Sequence, residues 1–247
     1  MTGAPDGFLG GALRLHQPPR GAHRAGTDAV LLARLLDPAP GERLCDAGAG
    51  PGAVGLARAR LTPGLALTLV ERDPGLAALA RANAALNGID AAVIEADLLG
   101  PAAERRAAGL VPDAFDVVLT NPPYFAAGRQ RPSPHAGKAM AHTFAGDGLD
   151  GWIRACTAML RPGGRLGLIH RADALPACLA ALGGRFGGIA VRPVHPREGE
   201  PAIRVLIAAV RGSRAALVLR PPLVLHGADG RMTPEAEALH RGAPWPP

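Results

Sequence analysis

The sequence predicts an α/β fold in which helices cover both faces of a mostly parallel sheet. Three observations carry this prediction. Short runs rich in Val, Leu and Ile recur along the chain, and stretches of helical composition separate the first six of them. The runs are apolar almost throughout rather than alternating, which is typical of parallel strands buried on both faces. The seven predicted strands are 43–47, 66–71, 92–96, 115–120, 165–170, 189–195 and 202–210.

Five helices are predicted between the first six strands, at 52–61, 74–87, 101–109, 148–161 and 173–183. The last two strands are joined by a segment that is too short for a crossover helix, since a parallel pair needs a dozen or more linking residues. We therefore expect an antiparallel hairpin at the C-terminal end of a seven-stranded sheet. The Pro162-Gly163-Gly164 segment predicts a helix stop and a turn into the fifth strand.

Three regions are predicted along the chain: an N-terminal extension at 1–42 that covers the site, a core at 43–212, and a tail at 213–247 packed on the core. The extension contains one predicted helix, at 28–36. The tail contains strand-like segments at 215–219 and 223–226. Thr233 followed by Pro234 predicts the start of a final helix, with threonine as N-cap and proline at the first helical position.

Composition excludes several classes of protein. The 247 residues include 48% hydrophobic and 19% charged residues, which excludes a disordered chain. No apolar run approaches the roughly 18 residues of a membrane span, so no membrane partner is expected. The start of the chain lacks the pattern of a secretory signal, and three cysteines without a CxxC spacing indicate reduced thiols in the cytoplasm. The sequence does not decide the oligomeric state, with a monomer slightly favoured, and no metal site is expected.

A glycine-rich loop follows the first predicted strand and leads into a helix. It places Gly48, Gly50 and Gly52 at alternate positions, where glycine allows sharp turns and close approach of a ligand. Asp46 lies within the turn, and Glu71 ends the next strand, 19 residues after Gly52. A carboxylate at that strand end is placed to accept hydrogen bonds from ribose hydroxyls. The loop therefore predicts a cofactor that contains adenosine.

The charge of Asp46 favours one such cofactor over another. The glycine spacing also satisfies the nicotinamide dinucleotide fingerprint, but a carboxylate beside a pyrophosphate is an electrostatic mismatch. A sulfonium cofactor carries positive charge and no phosphate. The pattern Asp-x-Gly-x-Gly-x-Gly resembles the first motif of class I S-adenosylmethionine-dependent methyltransferases, whose product is S-adenosylhomocysteine. That resemblance implies that Asp97 accepts from the adenine amino group, and it adds Arg72 and Leu98 to the expected cofactor site.

A second motif, Asn121-Pro122-Pro123-Tyr124, follows the fourth predicted strand, at the edge of the sheet where α/β proteins bind ligands. The Asn121 side-chain oxygen and the Pro122 carbonyl can accept both hydrogens of a planar amine, and Tyr124 offers a ring face to a planar substrate. Asn121 is also expected to border the cofactor site. The motif resembles the one in enzymes that methylate adenine N6, guanine N2 or glutamine amides. In such amines the nitrogen lone pair is delocalised, and positioning by oriented acceptors supplies the rate gain.

Over residues 8–240 the chain resembles the bacterial tRNA adenine-N6-methyltransferase family that modifies an adenosine beside the anticodon of a valine tRNA. Beyond the two motifs above, the resemblance rests on His16-Gln17 and on Arg24 to Leu32. It implies a Rossmann-like class I methyltransferase fold and an adenosine of tRNA as substrate. Thr27 and Asp28 look like the family's segment that closes over the methionine end of the cofactor. As the N-cap of the 28–36 helix, Thr27 would be compatible with that role.

Residues 124–146 are basic and contain no acid, which favours a polyanionic substrate. His142 stands where better-known family members have arginine. An adenosine in a stacked tRNA loop would have to be splayed out to reach Asn121. The predicted RNA contacts are Arg24, Arg129, Arg131, Lys138 and His142.

Other readings of the sequence remain open. Glutamine N5 methylation of a protein is disfavoured because those enzymes usually carry a helical domain ahead of the core. Guanine N2 methylation is excluded only weakly. An NAD(P)-dependent oxidoreductase would leave the Asn-Pro-Pro-Tyr motif without a role, and a non-catalytic RNA-binding module is the remaining alternative. Trp152 and Cys156 are interpreted as core residues, and His170 as a hydrogen-bonded histidine at a strand end.

Overall fold

The computed structural model describes residues 4–18, 24–123 and 148–245. The strands of the central sheet agree closely with the sequence prediction. They are β3 (Arg43–Ala47), β4 (Ala66–Glu71), β5 (Ala91–Glu95), β6 (Phe115–Thr120), β7 (Leu160–Arg171), β8 (Phe186–Arg197) and β9 (Arg204–Arg211). The helices are α1 (Thr27–Leu35), α2 (Ala53–Leu61), α3 (Pro74–Leu86), α4 (Ala102–Ala107), α5 (Gly148–Met159), α6 (Leu175–Leu182) and α7 (Pro234–His240).

The seven core strands lie in the order β5-β4-β3-β6-β7-β9-β8. All neighbours from β5 to β7 are parallel, and β9 runs antiparallel to both β7 and β8, which confirms the predicted hairpin. Two short strands of the tail, β10 (Val218–Leu219) and β11 (Leu223–His226), pair parallel with β8. They extend the seven-stranded core to nine strands.

Apolar residues pack on both faces of the sheet, as the strand composition predicts. On one face, residues of α1, α2, α3 and α7 form a buried cluster. On the other face, α5 and α6 pack against alternate residues of the same strands. Consecutive residues of β3 show this alternation, since Leu44 belongs to the first cluster and Cys45 to the second. Within the described ranges, no helix has the length and apolarity needed to cross a bilayer.

Side chains of the N-cap residues make capping hydrogen bonds at the starts of α3 and α7, but not at the start of α1. Asp73 caps α3 by accepting from the Leu76 N–H, and Thr233 caps α7 by accepting from the Ala236 N–H. The prediction that Thr27 caps α1 is wrong. Gly26 is the N-cap there, without a side-chain hydrogen bond, and Thr27 is the first residue of the helix.

The N-terminal extension contains more structure than the sequence predicted. Strands β1 (Asp6–Phe8) and β2 (Leu13–Leu15) form an antiparallel hairpin through a single 3-10 turn. Leu13 and Leu15 are fully buried against the core cluster. That cluster also contains residues of the core and of the tail, so the proposed division at 42 and 212 stays a prediction. The Pro162-Gly163-Gly164 segment follows the end of α5 as predicted, but it lies within β7, where the register with β6 shifts.

Candidate active site

The glycine loop follows the carboxyl end of β3 and is hydrogen-bonded to the carboxyl end of β4. The backbone N–H groups of Gly48 and Ala49 both donate to the Val70 carbonyl at 2.9 Å. The Gly50 N–H donates to a Glu71 carboxylate oxygen at 2.8 Å. These bonds come from strand β4 and fix the loop against it, so the protein holds the loop in place by its own backbone.

The three alternating glycines all have positive φ, at 76°, 55° and 86° for Gly48, Gly50 and Gly52. A Cβ at Gly48 would lie 2.9 Å from the Trp152 ring, and one at Gly52 would lie 3.1 Å from Leu56. A Cβ at Gly50 would meet no described atom within 4 Å. Gly48 and Gly52 are therefore needed for packing, whereas Gly50 faces open space where a ligand can approach the backbone.

Glu71 accepts a hydrogen bond from the loop and retains acceptor sites for a ligand. One of its oxygens accepts from Gly50 N–H at 2.8 Å, and the other accepts from Asp73 N–H at 2.9 Å. An ionised carboxylate offers about four lone-pair sites. Two are used by the backbone, so two remain for hydroxyl donors of a bound molecule.

Asp46 lies beneath the loop rather than on its surface. Its carboxylate is buried and accepts from the Gly55 N–H at 2.8 Å, in the first turn of α2. Burial raises the pKa of Asp46 to about 7, against the opposing effect of that hydrogen bond. This close packing requires glycine at position 55, because a Cβ there would lie 2.5 Å from Leu69 and 3.0 Å from the Cβ of Asp46. The structure thus gives Asp46 a role in joining β3 to α2, and its predicted influence on the cofactor stays a prediction.

Asp97, Leu98 and Arg72 lie at the carboxyl ends of β4 and β5, as predicted. One Asp97 oxygen accepts from the Leu99 N–H at 2.9 Å, and the other lies 3.8 Å from an Arg72 nitrogen. Leu98 is buried. The Asp97 carboxylate is partly exposed, and its partners within the protein occupy only some of its acceptor sites. The other acceptor sites therefore face solvent.

Asn121 is the first residue after strand β6, and it lies beside the glycine loop. Strands β3 and β6 pair directly, with Ala47 opposite Thr120, so Gly48 and Asn121 are the next residues of two neighbouring strands. Such strands lie about 4.8 Å apart. Asn121 is half-buried, Pro122 is buried and Pro123 is exposed. The structure therefore brings the first three residues of the second motif next to the first motif.

Thr120 and Trp152 support this junction, and Thr120 was not predicted as a site residue from the sequence. The Thr120 hydroxyl donates to the Ala47 carbonyl at 2.8 Å and accepts from the Trp152 indole N–H at 2.9 Å. Trp152 is buried, as interpreted, but its ring also lies directly under Gly48. A buried threonine at the end of a strand carried no recognisable signal, whereas Trp152 is one of two tryptophans in the chain.

Several other predicted residues are bonded to partners within the protein. Asp28 forms an ion pair with Arg204 at 2.9 Å, and Arg24 forms one with Asp6 at 2.5 Å. Nδ1 of the buried His170 accepts from the Arg171 N–H, which confirms its interpretation as a hydrogen-bonded histidine. The roles predicted for Thr27 and Asp28 toward the cofactor and for Arg24 toward RNA stay predictions. Tyr124, Arg129, Arg131, Lys138 and His142 lie outside the described residues.

The sheet order, the glycine loop and the acid at the end of β4 define a class I S-adenosylmethionine-dependent methyltransferase. The loop fits such a cofactor on two observations. Gly50 leaves its backbone open to close approach, and Glu71 keeps acceptor sites that match ribose hydroxyls.

Comparison with known proteins gives the same class. The methyltransferase small domain family model matches residues 23–190. A tRNA1(Val) (adenine(37)-N6)-methyltransferase of Aeromonas hydrophila is 31% identical over 216 residues, which cover 85% of this chain and 86% of the relative. A release factor glutamine methyltransferase of Xylella fastidiosa is 30% identical over 74% of this chain and 66% of the relative. The crystal structure of a predicted O-methyltransferase from Agrobacterium tumefaciens is 36% identical, with a TM-score of 0.74 over 89% of this chain and 98% of that one.

The chain therefore belongs to the methyltransferase small domain family. The predictions of a class I methyltransferase fold, of methyltransferase activity and of S-adenosylmethionine as cofactor are confirmed at the level of the family. The individual residue contacts of the cofactor stay predictions.

Proposed function

We propose that this enzyme methylates N6 of an adenosine in tRNA, in the cytoplasm. The observation that carries the proposal is the pairing of Ala47 with Thr120, which sets Asn121 and Pro122 beside the glycine loop. An acceptor pair for a planar amine then lies next to the loop that binds the methyl donor. When bound, S-adenosylmethionine supplies an electrophilic methyl group on a positively charged sulfur.

The chain's own groups act on the amine. The Asn121 carboxamide oxygen and the Pro122 carbonyl each accept one N–H of the target amine, which turns the nitrogen lone pair out of conjugation. The amine held in this way would take the methyl group that the cofactor supplies, with the bonding electrons left on sulfur, and its displaced proton would pass to water. No strong base is required, because that proton becomes acidic only after the methyl group has been transferred. Positioning and oriented dipoles supply the rate gain.

Two observations favour an adenosine of tRNA over other substrates that carry a planar amine. The relative from Aeromonas hydrophila, which matches this chain over most of both lengths, is named for adenine N6 of a valine tRNA. The basic segment 124–146 follows Asn121 directly in the chain and contains no acid, which favours a polyanion. The cofactor contacts in this proposal are Thr27 and Asp28 at the methionine end, the loop from Asp46 to Gly52, Glu71 with Arg72 at the ribose, and Asp97 with Leu98 at the adenine.

A direct test incubates the enzyme with isotopically labelled S-adenosylmethionine and bulk RNA from a strain that lacks the gene. Nucleosides are then identified by mass spectrometry. We expect label in N6-methyladenosine, in the tRNA fraction. Label in N2-methylguanosine or in a ribose-methylated nucleoside would contradict the adenine assignment.

Glutamine methylation is the second candidate, and the match to the release factor glutamine methyltransferase of Xylella fastidiosa favours it over other amines. The same incubation with a ribosome-free protein extract distinguishes it. Label in protein rather than RNA, located at a glutamine by peptide mass spectrometry, would replace the tRNA proposal with this one.

A further inference from the structure

Asn83 joins three parts of the molecule. It lies on α3, its side chain is completely buried, and its amide bonds to two other segments. One segment is the N-terminal extension: the amide oxygen accepts from the His16 N–H at 2.7 Å, and the amide nitrogen donates to the His16 carbonyl at 2.9 Å. The other segment is the glycine loop, where the same nitrogen donates to the Pro51 carbonyl at 2.9 Å. Both amide hydrogens are therefore used.

Asn87, the C-cap residue of α3 and four positions after Asn83, repeats half of this arrangement. Its amide oxygen accepts from the Arg14 N–H at 2.9 Å, and its nitrogen donates to the Arg14 carbonyl at 2.6 Å. Arg14 and His16 are alternate residues, so the two asparagines bond the free edge of β2 as a neighbouring strand would. Asn87 makes no bond to the glycine loop among the described residues. The two side chains thus hold the same segment, and only Asn83 also holds the loop.

The extension continues from His16 toward α1 through further hydrogen bonds. Gln17 accepts from the Ala25 N–H at 2.8 Å and donates to the Ala25 carbonyl at 3.0 Å. Ala25 lies two residues before Thr27, the first residue of α1. Hydrogen bonds and short stretches of chain therefore connect Pro51, between Gly50 and Gly52, to the start of α1.

We infer that Asn83 is a positioning residue that couples the glycine loop to the N-terminal segment, so that cofactor binding at the loop orders residues 12–18. The loop and the segment share one buried amide, and a shift of Pro51 changes the bond geometry of His16. Ligand bound at Gly50 restrains Pro51, and through Asn83 it restrains His16. The inference rests on the proposed cofactor site, because it requires the cofactor to bind at the loop.

Hydrogen–deuterium exchange measures this coupling without RNA or turnover. The wild-type enzyme is compared with and without S-adenosylhomocysteine at about 100 times its dissociation constant, which calorimetry supplies. We expect the cofactor product to slow exchange of the peptide that covers residues 12–18 by at least about tenfold, since ligand excess suppresses any opening that is linked to the site. A peptide from α6, which packs on the opposite face of the sheet from β2, serves as the internal reference.

Two matched variants separate coupling from simple support. Asn83→Asp keeps the acceptor for the His16 N–H but replaces the amide nitrogen, which donates to the His16 and Pro51 carbonyls, with an oxygen. Asn87→Asp makes the same change one turn away, where the lost donor bonds the Arg14 carbonyl and the backbone carbonyl of Asn83 but not the glycine loop. In Asn83→Asp we expect the ligand-dependent protection of residues 12–18 to be lost at saturating ligand. In Asn87→Asp we expect faster basal exchange that the ligand still slows.

The outcomes are distinct. Full protection of the segment by ligand in Asn83→Asp would overturn the inference, and so would a wild-type enzyme that binds S-adenosylhomocysteine without any protection of residues 12–18. A wild-type enzyme that does not bind the ligand in calorimetry would overturn the cofactor site itself. If Asn83→Asp does not fold, as judged by circular dichroism, Asn83→Ala introduces no charge and the wild-type comparison still decides.

Discussion

The two halves of the site differ in how their polar groups are used. At the ends of β3 and β4, Asp46 and Glu71 accept from backbone N–H groups of the protein at 2.8–2.9 Å. At the end of β6, the Asn121 side chain makes no hydrogen bond to any residue that the structure describes. The cofactor half is built by bonds within the protein, whereas the amine half offers its acceptor to a ligand.

This difference separates stability from catalysis. Changes in the cofactor half remove bonds or packing that the folded protein uses, so they alter both stability and cofactor binding. Changes at Asn121 remove an acceptor that the proposed mechanism uses on the substrate amine.

Asn121→Ala is expected to lower the rate of methyl transfer by about 10³-fold, since it removes an oriented acceptor that acts on the reacting amine. Affinity for S-adenosylhomocysteine should stay within about threefold, a change of under about 1 kcal/mol. Single-turnover kinetics and calorimetry measure the two quantities. Near-normal turnover would remove Asn121 from the mechanism, and a large loss of cofactor affinity would show that the two halves are not separate.

The raised pKa of Asp46 predicts that the stability of the folded protein depends on pH. Its pKa in the folded protein is about 7, above the ordinary value of 3.8, so the folded state binds the proton more tightly than the unfolded state. This contribution to stability is fully present below about pH 4 and is lost as pH rises to about 7, by up to about 4 kcal/mol.

Asp46→Asn keeps an acceptor for the Gly55 N–H and removes the titration. Urea unfolding at pH 5 and pH 8 should therefore give a smaller loss of unfolding free energy for the variant than for the wild type. An identical pH dependence in the two proteins would mean that Asp46 is ionised in the folded state across this range.

The glycines of the loop allow a matched comparison. Gly48→Ala should lower the free energy of unfolding by about 3 kcal/mol, because it adds a strained φ and a clash with the Trp152 ring. Gly50→Ala adds strain of about 1 kcal/mol but no clash, and its methyl group occupies the open space over the loop. We expect it to weaken S-adenosylhomocysteine binding by at least about tenfold. Unchanged affinity in Gly50→Ala would mean that the cofactor does not approach the loop there.

The smallest effect concerns the RNA. Replacing Arg129 and Arg131 with glutamine should weaken tRNA binding about tenfold at moderate salt and reduce the slope of log affinity against log salt by roughly two phosphate contacts. Cofactor affinity should not change. An unaltered salt slope in filter binding would exclude these two arginines from the RNA contact.

Much of the fold was predictable because its signals are local. Runs such as 43–47 and 115–120 are apolar enough to be strands buried on both faces, and the structure has them at the same residues. The hairpin of β8 and β9 followed from the length of its connection alone. The β1–β2 hairpin was missed because its strands have three residues each, too few for a periodic pattern.

The site was predictable in part for the same reason. Gly50 and Asn121 belong to short motifs at strand ends, and parallel strands bring their carboxyl ends together at one edge of the sheet. The partners of Asp46 and the junction at Asn83 were not predictable. Each depends on contacts between residues far apart in the sequence, such as Asn83 with His16, 67 positions away.

Composition, spacing and chain length are local properties, and they were enough to predict the strand and helix pattern, the glycine loop and the position of Asn121 after a strand. The folded chain was needed to show that Asp46 is buried against α2, that Glu71 bonds Gly50, and that Asn83 joins the extension to the loop. A buried polar group must find a hydrogen-bond partner, and which partner it finds is set by the packing of distant segments rather than by its neighbours in the chain.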